Sequence, residues 1–236
     1  MLDNNASQVL ASEFKQPAVD LIARIDKEEV SQLLLIGGSS QESALLQNRW
    51  KEARIVTVNL QELNGDYASL GQFDLVFSNA SIHYYPNHIQ LITALFRLLT
   101  KNGVLAVQTP NAANMPIQVM LESIARDKKW AHFFTEIATN YFVPNYYYEI
   151  LSQLTSELLL WETNYISVFF HYQELVHLYA QTEMKPYLNA LPTDELRQNF
   201  VAQVLDLLPS EYKKQTNGAL LFPYRRTFFI AKNTTL

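Results

Sequence analysis

The sequence contains no cysteine. Disulfides, thiolate metal sites and cysteine nucleophiles are therefore excluded. Glycine is scarce, with six among 236 residues. No phosphate-binding P-loop occurs, and Gly37-Gly38 lacks the third, spaced glycine of a dinucleotide fingerprint. Charged residues make up 17% of the chain, the net charge is −5 and no long basic run is present. That balance argues against nucleic acid as a partner. His132, His171 and His177 show no zinc-type spacing, so no metal is expected. No apolar run approaches the length of a membrane span. The opening MLDNNASQVLASEF has neither the basic start nor the apolar core of a signal peptide. The expectation is a cytoplasmic protein that engages no membrane. Against these absences stands a hydrophobic fraction of 48%, enough to pack one large domain.

What is present is organised around Phe73–Pro110. Phe73–Phe77 is a short run, apolar on both faces, as in a parallel strand buried between helices. Ile89, Ile92, Leu95, Phe96 and Leu99 follow at helical spacing. Lys101-Asn102-Gly103 has the cation and the glycine of a left-handed helix cap. Val104–Val107 then reads as the next strand, ended by Pro110. Such a strand–helix–strand unit predicts parallel strands, with ligands beyond their carboxyl ends at Ser78–Tyr85 and Gln108–Asn114. Further strands are predicted at Leu33–Ile36, Arg54–Val58, Leu158–Tyr165 and Thr227–Ala231. Helices are predicted at Pro17–Ile25, Ala44–Trp50, Ile117–Ala125, Tyr148–Leu154, His171–Gln181 and Asp194–Leu208. The stretch Trp130–Tyr148 is densely aromatic.

Asn79-Ala80-Ser81, Tyr84-Tyr85, Pro86 and His88, then Asn102–Gln108 and Pro110, resemble the class I S-adenosylmethionine-dependent methyltransferases, and among them those acting on trans-aconitate. The likeness extends to Phe14, Pro17–Ile25, Leu45–Trp50, Tyr147–Leu151, Lys185-Pro186 and Gly218–Lys232, which is most of the chain. The resemblance implies an α/β, Rossmann-like class I methyltransferase fold with a mostly parallel sheet, an antiparallel last strand and a helical, aromatic cap. About six strands are expected where the family has about seven, because the interval from Asn59 to Phe73 is too short for another strand with its crossover. The family's adenine-side strand has no counterpart unless Leu63–Tyr67 substitutes. One domain over residues 1–236 is expected, with a cap-like insertion near 111–150 and a helical one near 171–217.

The resemblance also implies that S-adenosylmethionine would lie against Gly37, Gly38, Ser39, Asn59, Asn79, Ala80 and Ser81. Several of these depart from the family pattern. The acidic position late in the first strand falls on Leu35, and the second and third glycines of the turn fall on Ser39 and Gln41. A side chain where bare backbone is required takes the ligand's space. The ribose carboxylate falls on Asn59, whose amide cannot accept both hydroxyls of a diol as a carboxylate does. The expectation is weak or absent cofactor binding.

Methyl transfer from a sulfonium is an in-line displacement of an already activated donor, so the protein supplies orientation and a dry, polar cleft. A carboxylate acceptor is ionised at neutral pH and needs no general base. The acceptor implied is a small carboxylate, and Tyr147, Tyr148, Lys185, Arg225 and Arg226 are the candidates to hold it. His83 is the candidate base for a hydroxyl or amine acceptor, or else a structural residue at the rim. Two functions compete. One is methyl transfer to a small carboxylate. The other is a methyltransferase-fold protein without cofactor, acting as a binding or scaffold protein for a protein partner.

Overall fold

The computed structural model describes residues 15–59, 67–134 and 140–234. Its sheet contains β1 (Gln32–Ile36), β2 (Arg54–Val58), β3 (Phe73–Asn79), β4 (Leu99–Pro110), β5 (Leu158–Phe169) and β6 (Leu220–Lys232). Their order is β2-β1-β3-β4-β6-β5. The first four are mutually parallel and β6 runs antiparallel to β4, as expected. Among the described residues β2 is one edge of the sheet and β5 the other; residues 60–66, including most of Leu63–Tyr67, lie outside them, and Ala68–Leu70 is a 3-10 turn.

The described residues fall into two compact units. The first holds residues 15–59, 67–111, 140–163 and 225–234. Strand registers define its two faces, because side chains alternate along a strand. Leu34, Val76, Leu105 and Ala231 form one row across the sheet, and Ile36, Ser78, Val107 and Phe229 the next. These rows meet Leu91, Ile92 and Leu95 of α3 (His88–Arg97) and Tyr147, Ile150 and Leu151 of α5 (Pro144–Leu151) in one core. Asn87 starts α3 by accepting from the Gln90 N–H, and Pro144 starts α5 where a missing N–H does no harm. The opposite face carries Leu35, Phe77, Ala106 and Ile230, then Asn79, Gln108 and Phe228. Trp161 stacks on Phe228 at 4.8 Å, with Arg24, just after α1 (residues 15–23), over its ring.

Lys101-Asn102-Gly103 does not cap a helix. Helix α3 ends at Arg97, and β4 begins at Leu99 with a bulge where the register jumps from Phe73↔Leu99 to Leu75↔Val104. The left-handed residue is Asn102, with φ 60°, a conformation asparagine tolerates. Gly103 is required by crowding instead, since a Cβ there would lie 2.8 Å from the Thr100 carbonyl oxygen. Asp74, facing the bulge, accepts from the Ser31 and Gln32 N–H groups and the Thr100 hydroxyl.

The second unit holds residues 112–134 and 164–224, with α4 (Pro116–Arg126), α6 (Tyr172–Gln181), α7 (Lys185–Ala190) and α8 (Asp194–Glu211). Trp130 and Phe134 pack on Phe200 at 5.2 and 5.3 Å, and Tyr187 stacks on it at 6.0 Å. This part of the aromatic stretch therefore builds the core of the helical unit.

Candidate ligand site at the carboxyl ends of the strands

Strand β1 runs into Gly37, which is left-handed at φ +65°. Its N–H donates to the Val58 carbonyl at the end of β2. A Cβ on Gly37 would lie 2.5 Å from the Ser81 hydroxyl oxygen, so Ser81 sits directly on the turn. A Cβ on Gly38 would lie 2.4–2.5 Å from three side-chain carbons of Leu35. Leu35 thus folds directly onto Gly38.

Ser39 then caps α2 (Ser40–Arg49) in a reciprocal box with Glu42. The Ser39 N–H donates to Glu42 Oε2 at 2.7 Å, and the Glu42 N–H donates to Ser39 Oγ at 3.3 Å. The other oxygen of Glu42 accepts from Asn79 Nδ2 at 2.6 Å. One buried carboxylate therefore ties the glycine turn to the end of β3. Gln41, beside it, is exposed.

Past Asn79 the chain turns through Ala80, left-handed at φ 49°. Its N–H donates to the Gln108 carbonyl, and Ser81 Oγ donates to the Asn79 carbonyl at 3.0 Å. His83 follows, itself buried, in the 3-10 turn Ile82–Tyr84, with Tyr141 stacked on it at 6.0 Å and Asn140 donating to its carbonyl. Burial, then the nearby Arg226 cation, then His88, lower the His83 pKa to about 3. The ring is neutral at pH 7. Gln108 is 1% exposed, and neither atom of its amide has a partner. Arg226 is buried as well.

The structure brings Gly37, Gly38, Ser39, Asn79, Ala80, Ser81, His83 and Arg226 to the carboxyl ends of the strands in the first unit. Asn59 is exposed one residue beyond Val58, at the edge of this group. Arg225 is exposed, on the opposite side of β6 from Arg226. Tyr147 is wholly buried in the core, where its hydroxyl meets His88 Nδ1 at 3.1 Å. Tyr148 is 53% exposed, and Lys185 is exposed at the start of α7 in the second unit. Leu35 and Glu42 are not among the site residues that the sequence nominates, and Gln108 enters there only as the first residue of the ligand-side stretch Gln108–Asn114. The Ser39-x-x-Glu42 spacing of a capping box was the available signal for Glu42, and a lone amide closing an apolar strand was the signal for Gln108. Among the described residues no cluster of histidine and carboxylates could hold a metal, and no helix is long and apolar enough to cross a membrane.

A parallel sheet closed by an antiparallel strand, with a glycine turn after its first strand facing the end of the next, is the frame of the class I S-adenosylmethionine-dependent methyltransferases, and the chain belongs to that family. A family model described as a methyltransferase domain matches residues 18–107. The trans-aconitate 2-methyltransferase of Enterobacter sp. (strain 638) is 31% identical over 253 residues, covering 98% of this chain and 99% of that protein. The enzyme of the same name from Escherichia coli O17:K52:H18 (strain UMN026 / ExPEC) is 30% identical, covering 99% of this chain and 100% of its own. Among solved structures, a protein of Bacillus halodurans C-125 described as a putative methyltransferase superimposes with a TM-score of 0.54 at 14% identity, over 93% of this chain and 100% of the other. Phosphoethanolamine N-methyltransferase 2 of Haemonchus contortus, in complex with S-adenosylhomocysteine, gives 0.53 at 12% identity, over 98% of this chain and 58% of that one. At those identities the structures speak for the fold alone.

Proposed function

We propose that this chain is a small-carboxylate protein of the methyltransferase family whose cofactor turn is filled by its own side chains, so that S-adenosylmethionine binds weakly or not at all. The observation that carries this reading is the packing of the turn. Leu35 covers Gly38, Ser81 covers Gly37, and the Glu42 carboxylate spans from Ser39 to Asn79. A cofactor at this turn needs close approach to bare backbone. The residues present do not fit it. The exposed Asn59 also offers the ribose no carboxylate. Each charge-assisted hydrogen bond lost weakens binding by roughly 1.5–3 kcal/mol, so several together weaken it by orders of magnitude.

A second reading, a working methyltransferase acting on a carboxylate such as trans-aconitate, is favoured by about 30% identity along the whole chain to enzymes of that name. A carboxylate acceptor needs no base, so the neutral, buried His83 is no obstacle to it. The two readings separate in one assay. Incubation with labelled S-adenosylmethionine and trans-aconitate gives no methyl ester above the protein-free control under the first reading, and turnover under the second.

A further inference from the structure

Among the described residues the sheet ends at β2 and β5, and the two edges differ in character. Strand β2 is five residues long, begins at the exposed Arg54 and follows the charged pair Lys51-Glu52. Short length and charge protect an edge, which otherwise offers unpaired N–H and C=O groups to another chain. Strand β5 is twelve residues long. Its half in the helical unit, Asn164–Phe169, and Phe170 beyond it contain no charge, no proline and no glycine.

One face of this half is covered. Tyr165 stacks on Tyr224 at 5.4 Å, Phe169 meets Phe222 at 6.1 Å, and Phe222 packs against Tyr179 of α6 at 5.8 Å. The other face is open, with Ile166 57% exposed, Val168 46% exposed and Leu221 of β6 exposed as well. The Lys232 N–H donates to the Glu157 carbonyl, so odd-numbered residues of β5 direct their main-chain groups at β6. The stacked pairs Trp161–Phe228 and Tyr165–Tyr224 keep that register. Ile166 and Val168 therefore turn their main-chain N–H and C=O groups to the open edge.

Such an edge fits a second copy of the same strand. Antiparallel pairing about a two-fold axis joins identical strands and closes both edges at once. It also opposes like residues, so charges near the axis would repel. Glu162 is the one charged residue of β5, and an axis in the half beyond it keeps the two carboxylates apart.

We propose that the chain forms a dimer by antiparallel pairing of β5 edges, with Ile166 of one copy beside Val168 of the other. A strand pair of this length buries little area, so the dimer is weak, with a dissociation constant on the order of 10–100 μM. The proposal rests on neither reading of the cofactor turn.

The test is sedimentation equilibrium of the full chain from about 1 to about 300 μM, which gives a monomer–dimer equilibrium. Val168→Lys adds a charge at an exposed edge position. It weakens dimerisation at least about tenfold and leaves the melting temperature within about 2 °C. Register is read by crosslinking, since the chain has no native cysteine. Under mild oxidation Ile166→Cys mixed with Val168→Cys gives a disulfide-linked heterodimer, the paired Cα atoms being about 5.5 Å apart. Neither variant alone crosslinks at a comparable rate. A chain that stays monomeric at about 300 μM overturns the proposal, whether its edge is bare or covered by another part of the chain. So does a dimer that Val168→Lys leaves intact, or one in which each cysteine variant crosslinks as fast alone as in the mixture. Open-ended polymers in place of dimers overturn the two-fold closure.

Discussion

Glu42→Ala removes the group that ties the glycine turn to β3. In the native chain its carboxylate accepts from the Ser39 N–H at 2.7 Å, from Ser39 Oγ at 3.0 Å and from Asn79 Nδ2 at 2.6 Å. The substitution removes the capping box and strips the buried Asn79 amide of this acceptor. A charge-assisted hydrogen bond contributes roughly 1.5–3 kcal/mol, and a helix N-cap about 1 kcal/mol. The three bonds share one carboxylate and are not additive, so the expected loss is about 2–4 kcal/mol. For a chain of this length that lowers the melting temperature by about 5–15 °C. Gln41→Ala, at the exposed neighbouring position, stays within about 0.5 kcal/mol of the native protein and serves as the control. Glu42→Gln keeps one acceptor oxygen and falls between the two. Thermal and urea unfolding followed by circular dichroism read all three variants. A Glu42→Ala protein as stable as Gln41→Ala would refute the claim that this carboxylate holds the turn.

Other outcomes follow from the same geometry. Gly38→Ala destabilises by roughly 1–3 kcal/mol because its Cβ overlaps Leu35, and adding Leu35→Ala makes the double variant less destabilised than the sum of the singles; additive denaturation energies would contradict the packing. Ala80→Val lowers stability by roughly 1–3 kcal/mol, since a β-branched residue resists φ 49°, whereas Ala80→Gly stays within about 0.5 kcal/mol; equal effects in urea unfolding would contradict the assigned turn. Stability falls as the solution is acidified. Burial lowers the folded pKa of His83 to about 3 and of His88 to about 4, so their contribution is complete above the unfolded value of about 6.5 and is lost as pH falls from there towards those folded values. Asp74 adds to the acid end: burial raises its pKa, but the Gln32 and Ser31 N–H groups, the Thr100 hydroxyl and Lys27 together hold it below the usual range. Its contribution is present above the unfolded aspartate value of about 3.9 and fades as pH falls through the lower folded one. Melting temperatures across this range show a shallower acid limb in Asp74→Asn, and an unchanged limb would contradict the assignment.

The parallel frame was legible because buried strands leave short apolar runs. Arg54–Val58 falls on β2, and Leu33–Ile36, Phe73–Phe77 and Val104–Val107 fall within β1, β3 and β4. Strand ends were less legible. Pro223 and the Arg225-Arg226 pair interrupt the apolar pattern of β6, so its stretch from Leu220 to Arg226 carries no clear strand signal. Lys101-Asn102-Gly103 carries the composition of a helix cap, yet pairing of Leu99 with Phe73 turns it into a strand bulge. A cap and a bulge both use a left-handed residue, so composition alone could not separate them. In the site, Gly37, Asn79 and Ser81 were readable from strand ends. Leu35 on Gly38 and Glu42 on Asn79 are contacts of the fold, and a sequence shows only that those residue types exist. Arg225 and Arg226 looked equivalent until the strand's alternation buried one and exposed the other.

The closed turn is tested most directly by calorimetric titration of the native chain with S-adenosylmethionine and S-adenosylhomocysteine at neutral pH. Packing of Leu35, Ser81 and Glu42 into the turn predicts no saturation at either ligand below about 100 μM, where binding is worth less than about 5.5 kcal/mol. A dissociation constant of about 1 μM for either ligand would contradict it and place the chain among the working methyltransferases.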